Sequence, residues 1–307
     1  MTKALVLFSG GLDSRLVVKI LQEQNMEVVP VMFKLPFGGG CCNDEMCSFK
    51  FSQIQGVPLK IVDCTKGKLF KEYIKILRNP KYGTGAGVNP CIDCRIFILK
   101  HAKPLLKKLN CQFIATGEVL GERPMSQYRK AMDTIEEAVK LKGKILRPLS
   151  AKHLPETQAE KKGLVNRSKL LDIQGRNRKP QIALAKKYKI DYPHPAGGCI
   201  LCEKDFKGKL NDLLKHEKTL KPEHVDSLRG FRHFRNRGKI ILGRNHAENL
   251  ILEKLNKKLK YYILVPEKAG PTCLYQEFKD RKLVKELVEA YSSKNLSLRE
   301  KFDKIKI

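Results

Sequence analysis

The sequence predicts an α/β protein with a doubly wound parallel sheet and a small C-terminal α+β domain. Apolar runs without alternation, typical of strands buried on both faces, begin near residues 4, 27 and 111. They alternate with segments of helical periodicity, and strands joined by helices form parallel sheets. The 307 residues suit one large and one small domain. A Lys-Pro junction near residue 222 places the predicted domains at 1–222 and 223–307.

The first strand leads directly into a glycine turn. Residues 9–14 read Ser-Gly-Gly-Leu-Asp-Ser, and a helical pattern begins at Leu12. Glycine adopts the backbone angles of a tight turn at low cost, and free N–H groups at a helix N-terminus bind phosphate. The turn is therefore a candidate phosphate site, against the alternative of an ordinary strand–turn–helix. Its candidate ligands are Ser9, Gly10, Gly11 and Ser14.

The formal net charge of +29 predicts a polyanionic partner, either a nucleic acid or an anionic membrane. No apolar run reaches transmembrane length, and the N-terminus enters a strand rather than a signal peptide. We therefore expect a cytoplasmic protein with a nucleic-acid partner and no membrane association.

Ten cysteines without a secretion signal indicate metal ligands or sulfur chemistry rather than a disulfide framework. Cys91 and Cys94 form a CxxC pair at a predicted helix N-terminus, where thiol pKa values are expected to fall. A redox disulfide, half of a zinc site and half of an iron–sulfur site remain open. With the second pair, residues 199–202, a four-cysteine structural zinc site is a further alternative. Cys64 and Cys111 are predicted to be buried hydrophobic residues.

Basic residues concentrate in two stretches. Residues 160–187 are dense in Lys and Arg, and arginines of residues 229–237 surround Phe231, His233 and Phe234. Arginines interleaved with aromatics can hold an RNA backbone and stack on bases. The second stretch is therefore predicted to contact RNA, with a merely basic surface as the alternative.

The Ser-Gly-Gly-Leu-Asp-Ser string resembles the pyrophosphate loop (PP-loop) of the ATP pyrophosphatase superfamily, whose members adenylate a carbonyl oxygen. Over about residues 4–206 the motif set resembles tRNA thiouridine synthetases. The strings similar to tRNA 2-thiouridylases are Asn89–Cys94, Cys41-Cys42, Gly198–Ile200 and Glu203–Phe206. Those similar to tRNA 4-thiouridine synthetases are Thr116–Gly121, Ser126-Gln127 and Leu146–Leu149.

This resemblance implies an adenine nucleotide alpha hydrolase-like, Rossmann-like fold and an ATP-dependent tRNA sulfurtransferase. It implies ATP bound also at Gly117, Mg²⁺ aided by Asp13, and a 4Fe-4S cluster on Cys91, Cys94 and Cys199. Asp13, Cys94 and Cys199 would be catalytic. The expected partners are tRNA and a sulfur donor, either sulfide or a persulfide carrier, with a homodimer as a possible assembly. The favoured product is 4-thiouridine at position 8.

Several alternatives stay open. They are 2-thiouridine at the anticodon wobble position, a cluster-free enzyme with a persulfide on Cys94 or Cys199, and a zinc-stabilised RNA-binding protein without catalysis. Cys202 is left outside the cluster, and no role is assigned to Cys41, Cys42 or Cys47. The string Leu242–Asn249 resembles the small RNA-binding domain of the NFACT family. It would replace the N-terminal RNA-binding domain of 4-thiouridine synthetases as the tRNA contact.

Overall fold

A computed structural model describes residues 1–38, 45–192, 199–293 and 296–307. The chain forms two compact units, Met1–Cys202 and Glu203–Ile307. The division falls before the amphipathic helix Lys204–His216. The boundary predicted at residue 222 would instead assign this helix to the large domain. The residues outside the described ranges include Cys41, Cys42 and Gly198, so the predictions for these three are not addressed by the structure.

The first unit is a parallel sheet of five strands in the order β3-β2-β1-β4-β5. This arrangement confirms the predicted doubly wound fold. The strands are β1 Lys3–Leu7, β2 Glu27–Lys34, β3 Lys60–Asp63, β4 Phe113–Thr116 and β5 Ile145–Leu146. The helices are α1 Leu12–Gln22, α2 Glu45–Ile54, α3 Gly67–Arg78, α4 Cys91–Lys108, α5 Arg129–Ala138, α6 Gln158–Lys161 and α7 Lys179–Lys187.

Strand β1 is buried on both faces, which explains its unbroken apolar sequence. Ala4 and Val6 pack in one apolar cluster with α1, and Leu5 and Leu7 pack in the cluster on the opposite face. Cys64 and Cys111 are buried, as the sequence predicted.

A buried ion network lies beside the carboxyl end of β4. Arg147 donates from Nε to Glu118 at 3.0 Å and from Nη1 to Glu136, and all three side chains are almost inaccessible. Arg95 Nε lies 3.1 Å from the other oxygen of Glu118. Burial alone would raise the pKa of Glu118, but the two guanidinium groups hold that pKa below its usual value. The ion pairs of this network therefore hold the segment after β4 in place.

The second unit contains an antiparallel sheet of four strands in the order β6-β7-β9-β8. This confirms the small C-terminal α+β domain. The strands are β6 Arg232–Arg235, β7 Lys239–Leu242, β8 Tyr262–Leu264 and β9 Cys273–Tyr275. The helices are α8 Lys204–His216, α9 Pro222–Asp226, α10 His246–Leu259, α11 Arg281–Ser292 and α12 Ser297–Glu300.

The rings of Phe231, His233 and Phe234 are all buried. The prediction that these rings contact RNA was therefore wrong. Phe234 packs against α11 residues, while Phe231 packs in a second cluster on the other face of the sheet. Arg235 forms a two-point ion pair with Asp212 at 2.6 and 2.9 Å. The aromatic positions thus reflect the inward faces of strand β6 and its flanks, not a base-stacking surface.

Among the described helices, none combines the length and apolar character that a membrane crossing requires.

The substitution Arg147→Met tests the buried network. Without Arg147, Glu136 and Glu118 remain buried with less compensating charge, so we expect the free energy of unfolding to fall by about 3–5 kcal/mol. Chemical denaturation followed by circular dichroism measures this loss. Arg129→Met is the matched control, because the Arg129–Asp133 pair lies on the surface and contributes less than about 1 kcal/mol. Equal losses of unfolding free energy in Arg147→Met and Arg129→Met would contradict the stabilising role assigned to the buried network.

Candidate functional site

The strand order reverses at β1, whose neighbours are β2 on one side and β4 on the other. In open parallel sheets a crevice forms at such a point, outside the carboxyl ends of the strands. A cavity of about 450 Å³ occupies this position, within the range of small-molecule sites. It is lined by the turn after β1 and by the segment after β4.

The turn between β1 and α1 forms the floor of this cavity. Gly10 has a φ of 77°, which only glycine adopts readily, and this turns the chain into α1. Ser14 Oγ donates to Gly11 O at 2.8 Å and lies 3.4 Å from Ser9 Oγ. In the described part of the chain no side chain caps α1, so its first N–H groups are available to a ligand. Ser9, Gly11, Asp13 and Ser14 line the cavity, whereas Gly10 shapes the turn behind it.

Arg15 holds the turn from behind and was not identified from the sequence. Its side chain is buried and donates from Nε to Gly10 O at 2.7 Å. Its other nitrogens contact Asp191 O at 2.9 Å and Cys47 Sγ at 3.0 Å. Cys47, on α2, thus contacts the support of the turn and is absent from the cavity wall.

Gly117, directly after β4, is pressed against the same turn. A Cβ at this position would lie 2.8 Å from both Asp13 C and Ser14 N, closer than side-chain carbons approach backbone. Gly117 also lines the cavity, as predicted. The absence of a side chain therefore lets the ends of β1 and β4 meet.

Two carboxylates and one arginine face each other at the edge of the turn. Arg178 Nη2 donates to Asp13 Oδ2 at 2.8 Å, and its Nε lies 3.6 Å from Glu122 Oε1. Burial raises the pKa of Asp13 even with Arg178 beside it. Burial and the neighbouring Asp13 raise the pKa of Glu122 in the same way. The sequence analysis did not identify Arg178, because it is one of many basic residues in the stretch 160–187 and no local pattern distinguishes it from the others.

The two CxxC pairs meet in the cavity, although more than a hundred residues separate them. Cys91 and Cys94 lie in the first turn of α4, whereas Cys199 precedes a short 3₁₀ turn that ends at Cys202. All four residues line the cavity together with the turn after β1. Within the described residues, no cysteine forms a disulfide.

Backbone contacts hold the two pairs together. Val88 N donates to Leu201 O at 2.9 Å, which joins the loop before Cys91 to the second pair. At Gly87 an added Cβ would lie 2.2 Å from the same carbonyl, so only glycine fits this approach. The glycines of the 79–90 loop therefore permit the close approach of the two thiol segments.

The predicted low thiol pKa values were wrong for the first pair. Burial raises the pKa of Cys91 and of Cys94, and this outweighs the effect of their helix N-terminus. Asn89 Nδ2 donates to Cys91 Sγ at 3.2 Å, and the Tyr73 hydroxyl donates to Cys94 Sγ at 3.5 Å. A hydrogen bond with Cys202 raises the pKa of Cys199 further. The raised pKa values of Cys91, Cys94 and Cys199 favour their protonated forms.

The four thiols share a cavity without forming a compact cluster. Over the described ranges, no three His, Cys, Asp or Glu side chains are gathered closely enough to coordinate one ion. The donor type nevertheless suits a thiolate-held cluster or zinc, both of which require deprotonated sulfur.

Sequence comparison relates the first unit to proteins of known name. Over 147 residues the chain is 33% identical to the tRNA-specific 2-thiouridylase MnmA of Clostridium acetobutylicum, which covers 43% of this chain and 40% of that protein. A 129-residue match to MnmA of Amoebophilus asiaticus is also 33% identical and covers 38% of this chain and 33% of the relative. The chain thus spans at most two fifths of the length of these two relatives.

Among solved structures, the U34-tRNA thiolase NcsA of Methanococcus maripaludis with its [4Fe-4S] cluster aligns with a TM-score of 0.38 and 20% identity. The alignment covers 74% of this chain and 70% of NcsA. Such low similarity supports no functional statement.

Residues 2–158 match the family described as the tRNA methyl transferase HUP domain. This match includes β1 to β5, the turn after β1, Gly117 and the first cysteine pair. With half of its length matched, the chain belongs to the tRNA methyl transferase HUP domain family.

Proposed function

We propose that this chain is an ATP-dependent tRNA sulfurtransferase that adenylates a uridine carbonyl and replaces its oxygen by sulfur. The supporting observation is one cavity lined by both a phosphate-type turn and four thiols. A nucleotide-activating loop and a sulfur-bearing group in one pocket suit a reaction that first activates a carbonyl and then attacks it. The names of the MnmA relatives support tRNA as the substrate.

ATP is proposed to bind with its phosphates on the turn after β1. The N–H groups at the start of α1 supply hydrogen bonds and the positive end of the helix dipole. Ser9 and Ser14 add hydroxyl groups at the same place. The buried Arg15 keeps the Gly10 carbonyl turned away from the phosphates, because it binds that carbonyl.

Asp13 and Glu122 are the proposed contacts for Mg²⁺. Carboxylate oxygens are hard ligands that suit this ion, and both groups have raised pKa values that a nearby cation would lower. Mg²⁺ supplies charge neutralisation of the pyrophosphate. Arg178, now paired with Asp13, is placed to contact phosphate when the carboxylate turns to the ion.

The proposed chemistry has two substitutions. The uridine carbonyl oxygen attacks the α-phosphorus of ATP, the bond to the bridging oxygen breaks and pyrophosphate leaves, while the ring N3–H proton is lost. A hydrosulfide or persulfide sulfur then attacks the activated carbon, and AMP leaves with the former carbonyl oxygen. The proton returns to the ring nitrogen, which gives a thiouridine. Adenylation is needed because AMP is a far better leaving group than oxide.

Cys91, Cys94 and Cys199 are the proposed ligands of a 4Fe-4S cluster. The donor set fits, since thiolates hold such clusters and all three residues line the cavity. Held by these three thiolates, such a cluster would supply a binding position for hydrosulfide. Tyr73 and Asn89 each contribute a hydrogen bond to one of these sulfurs, which stabilises the thiolate form.

A cluster-free route is the alternative within the same function. A persulfide on Cys199 would donate its outer sulfur to the activated carbon. Cys94 would then attack the inner sulfur, release the thiouridine and leave a Cys94–Cys199 disulfide that an external thiol must reduce. The observation that favours this route is that both thiols line one cavity.

The product is also part of the proposal. The sequence motifs predicted 4-thiouridine at position 8, whereas the names of the MnmA relatives support 2-thiouridine. Nucleosides from a tRNA modified by the purified protein distinguish the two, because the isomers separate on chromatography. A protein that binds RNA but never releases pyrophosphate or thiolates tRNA would instead be the zinc-stabilised binding protein.

Gly117→Ala tests the nucleotide site. The added Cβ would collide with the backbone of Asp13 and Ser14, so the phosphate turn must shift. We expect pyrophosphate release in the presence of tRNA to fall by about 100-fold, the usual effect of misplacing reacting groups by about 1 Å. The control is Gly208→Ala on α8, where the nearest atom to the new Cβ lies at 3.6 Å. An unchanged rate in Gly117→Ala would contradict the proposed site.

Single cysteine substitutions test the sulfur site. In protein purified without oxygen, Cys91→Ala, Cys94→Ala and Cys199→Ala are each expected to abolish iron and sulfide binding and tRNA thiolation. Cys202→Ala should retain both, and Cys111→Ala is the control for a thiol outside the cavity. Metal and sulfide analysis with visible absorption spectra measures the outcome.

Zinc lost in all four cavity variants would instead indicate a structural four-cysteine site. Thiolation without any metal, lost only in Cys94→Ala and Cys199→Ala, would indicate the persulfide route.

A further inference from the structure

A group of aromatic side chains lies on the outside of the second unit, at the edge of its sheet. The Tyr262 and Tyr275 rings are stacked with centroids 5.4 Å apart, and the Phe278 ring lies 5.4 Å from Tyr262. These three residues are called the aromatic platform. Tyr262 is 47% exposed and Phe278 is 53% exposed, whereas Tyr275 is buried beneath them. Two large rings are thus held in place while facing solvent.

The position of the platform explains its rigidity. Strand β8 is the last strand of the sheet, and Tyr262 is paired in register with Tyr275 of β9. Leu264, on the same strand, packs against the apolar cluster that contains Tyr275. Strand β8 is therefore anchored at Leu264, while Tyr262 projects beyond the cluster.

Several basic residues flank the platform residues in the sequence, together with the exposed acidic residue Glu277. The Arg281 guanidinium carbon lies 5.7 Å from the centre of the Phe278 ring, a cation–π contact. Lys260, Lys279 and Lys282 are exposed and close in sequence to the platform residues. Exposed rings next to cationic side chains match the chemistry of single-stranded nucleic acid, which combines stackable bases with phosphates.

We propose that the aromatic platform binds unpaired bases of an RNA, with the adjacent basic side chains on its phosphates. The inference rests on the proposed function only in taking RNA as the partner. It moves the RNA contact of the second unit from Phe231, His233 and Phe234, which are buried, to Tyr262 and Phe278. Unpaired bases are favoured over a duplex because stacking on an open ring needs a free base face.

The full chain contains no tryptophan, which permits a site-specific fluorescence test. Tyr262→Trp places one indole on the platform, and Ile251→Trp places one at an exposed position of α10 as the matched control. Addition of a short oligouridylate should quench Tyr262→Trp emission saturably and leave Ile251→Trp unchanged. A duplex RNA of the same length should quench Tyr262→Trp much less.

Affinity measurements complete the test. Tyr262→Ala should weaken binding of the oligouridylate about tenfold, as expected for loss of one stacking ring, and Tyr262→Phe should restore it. Circular dichroism confirms that the variants fold. Equal affinities for the parent and Tyr262→Ala would overturn the proposal. Quenching of the Tyr262→Trp emission that increases with protein concentration in the absence of RNA would also overturn the proposal. The platform would then be covered by a second copy of the chain.

This test is separate from that of the catalytic proposal. Oligouridylate binding needs neither ATP nor the cavity thiols. RNA binding at the platform in a chain that does not cleave ATP would sustain this inference and contradict the proposed reaction. Conversely, tRNA thiolation together with an unchanged RNA affinity of Tyr262→Ala would sustain the proposed reaction and contradict this inference.

Discussion

The parallel pairing of β1 with β4 positions every group at the site. These neighbouring strands end at the same sheet edge, and the missing side chain of Gly117 lets the segment after β4 reach the turn after β1. The buried pairing of Glu118 with Arg95 and Arg147 keeps this segment in place. Because the loop before α4 and the second cysteine pair border the same crevice, the turn after β1 and the thiols share one space.

Burial disfavours the anionic form of both the carboxylates and the thiols of this cavity. Asp13 and Glu122 are destabilised as anions, which suits a site that binds a metal ion with the triphosphate. Cys94 is held as a thiol until a metal ion or a persulfide replaces its proton, so an empty site exposes little reactive thiolate. The same low polarity thus favours ligand binding and limits unwanted oxidation.

The sequence was sufficient for the sheet, the turn and the cysteine positions, because each rests on local patterns: an apolar run, a glycine pair or a CxxC spacing. Prediction from the sequence failed for properties that depend on tertiary packing. Strand β6 was taken for an RNA contact, since alternating Arg and aromatic residues fit both a half-buried strand and a nucleic-acid surface. The pKa values of Cys91 and Cys94 depend on burial, and the role of Arg178 depends on a contact with Asp13 across 165 positions.

The central claim is that a uridine carbonyl oxygen is activated by ATP beside the thiols that supply sulfur. The most direct test uses tRNA transcribed with ¹⁸O in the uridine O4 position or, separately, in the O2 position, incubated with ATP and sulfide. The account predicts that AMP carries ¹⁸O from one of these two transcripts, in equal amount to the thiouridine formed. AMP that takes its new oxygen only from water would contradict the account, since ATP would then be hydrolysed without activating the base.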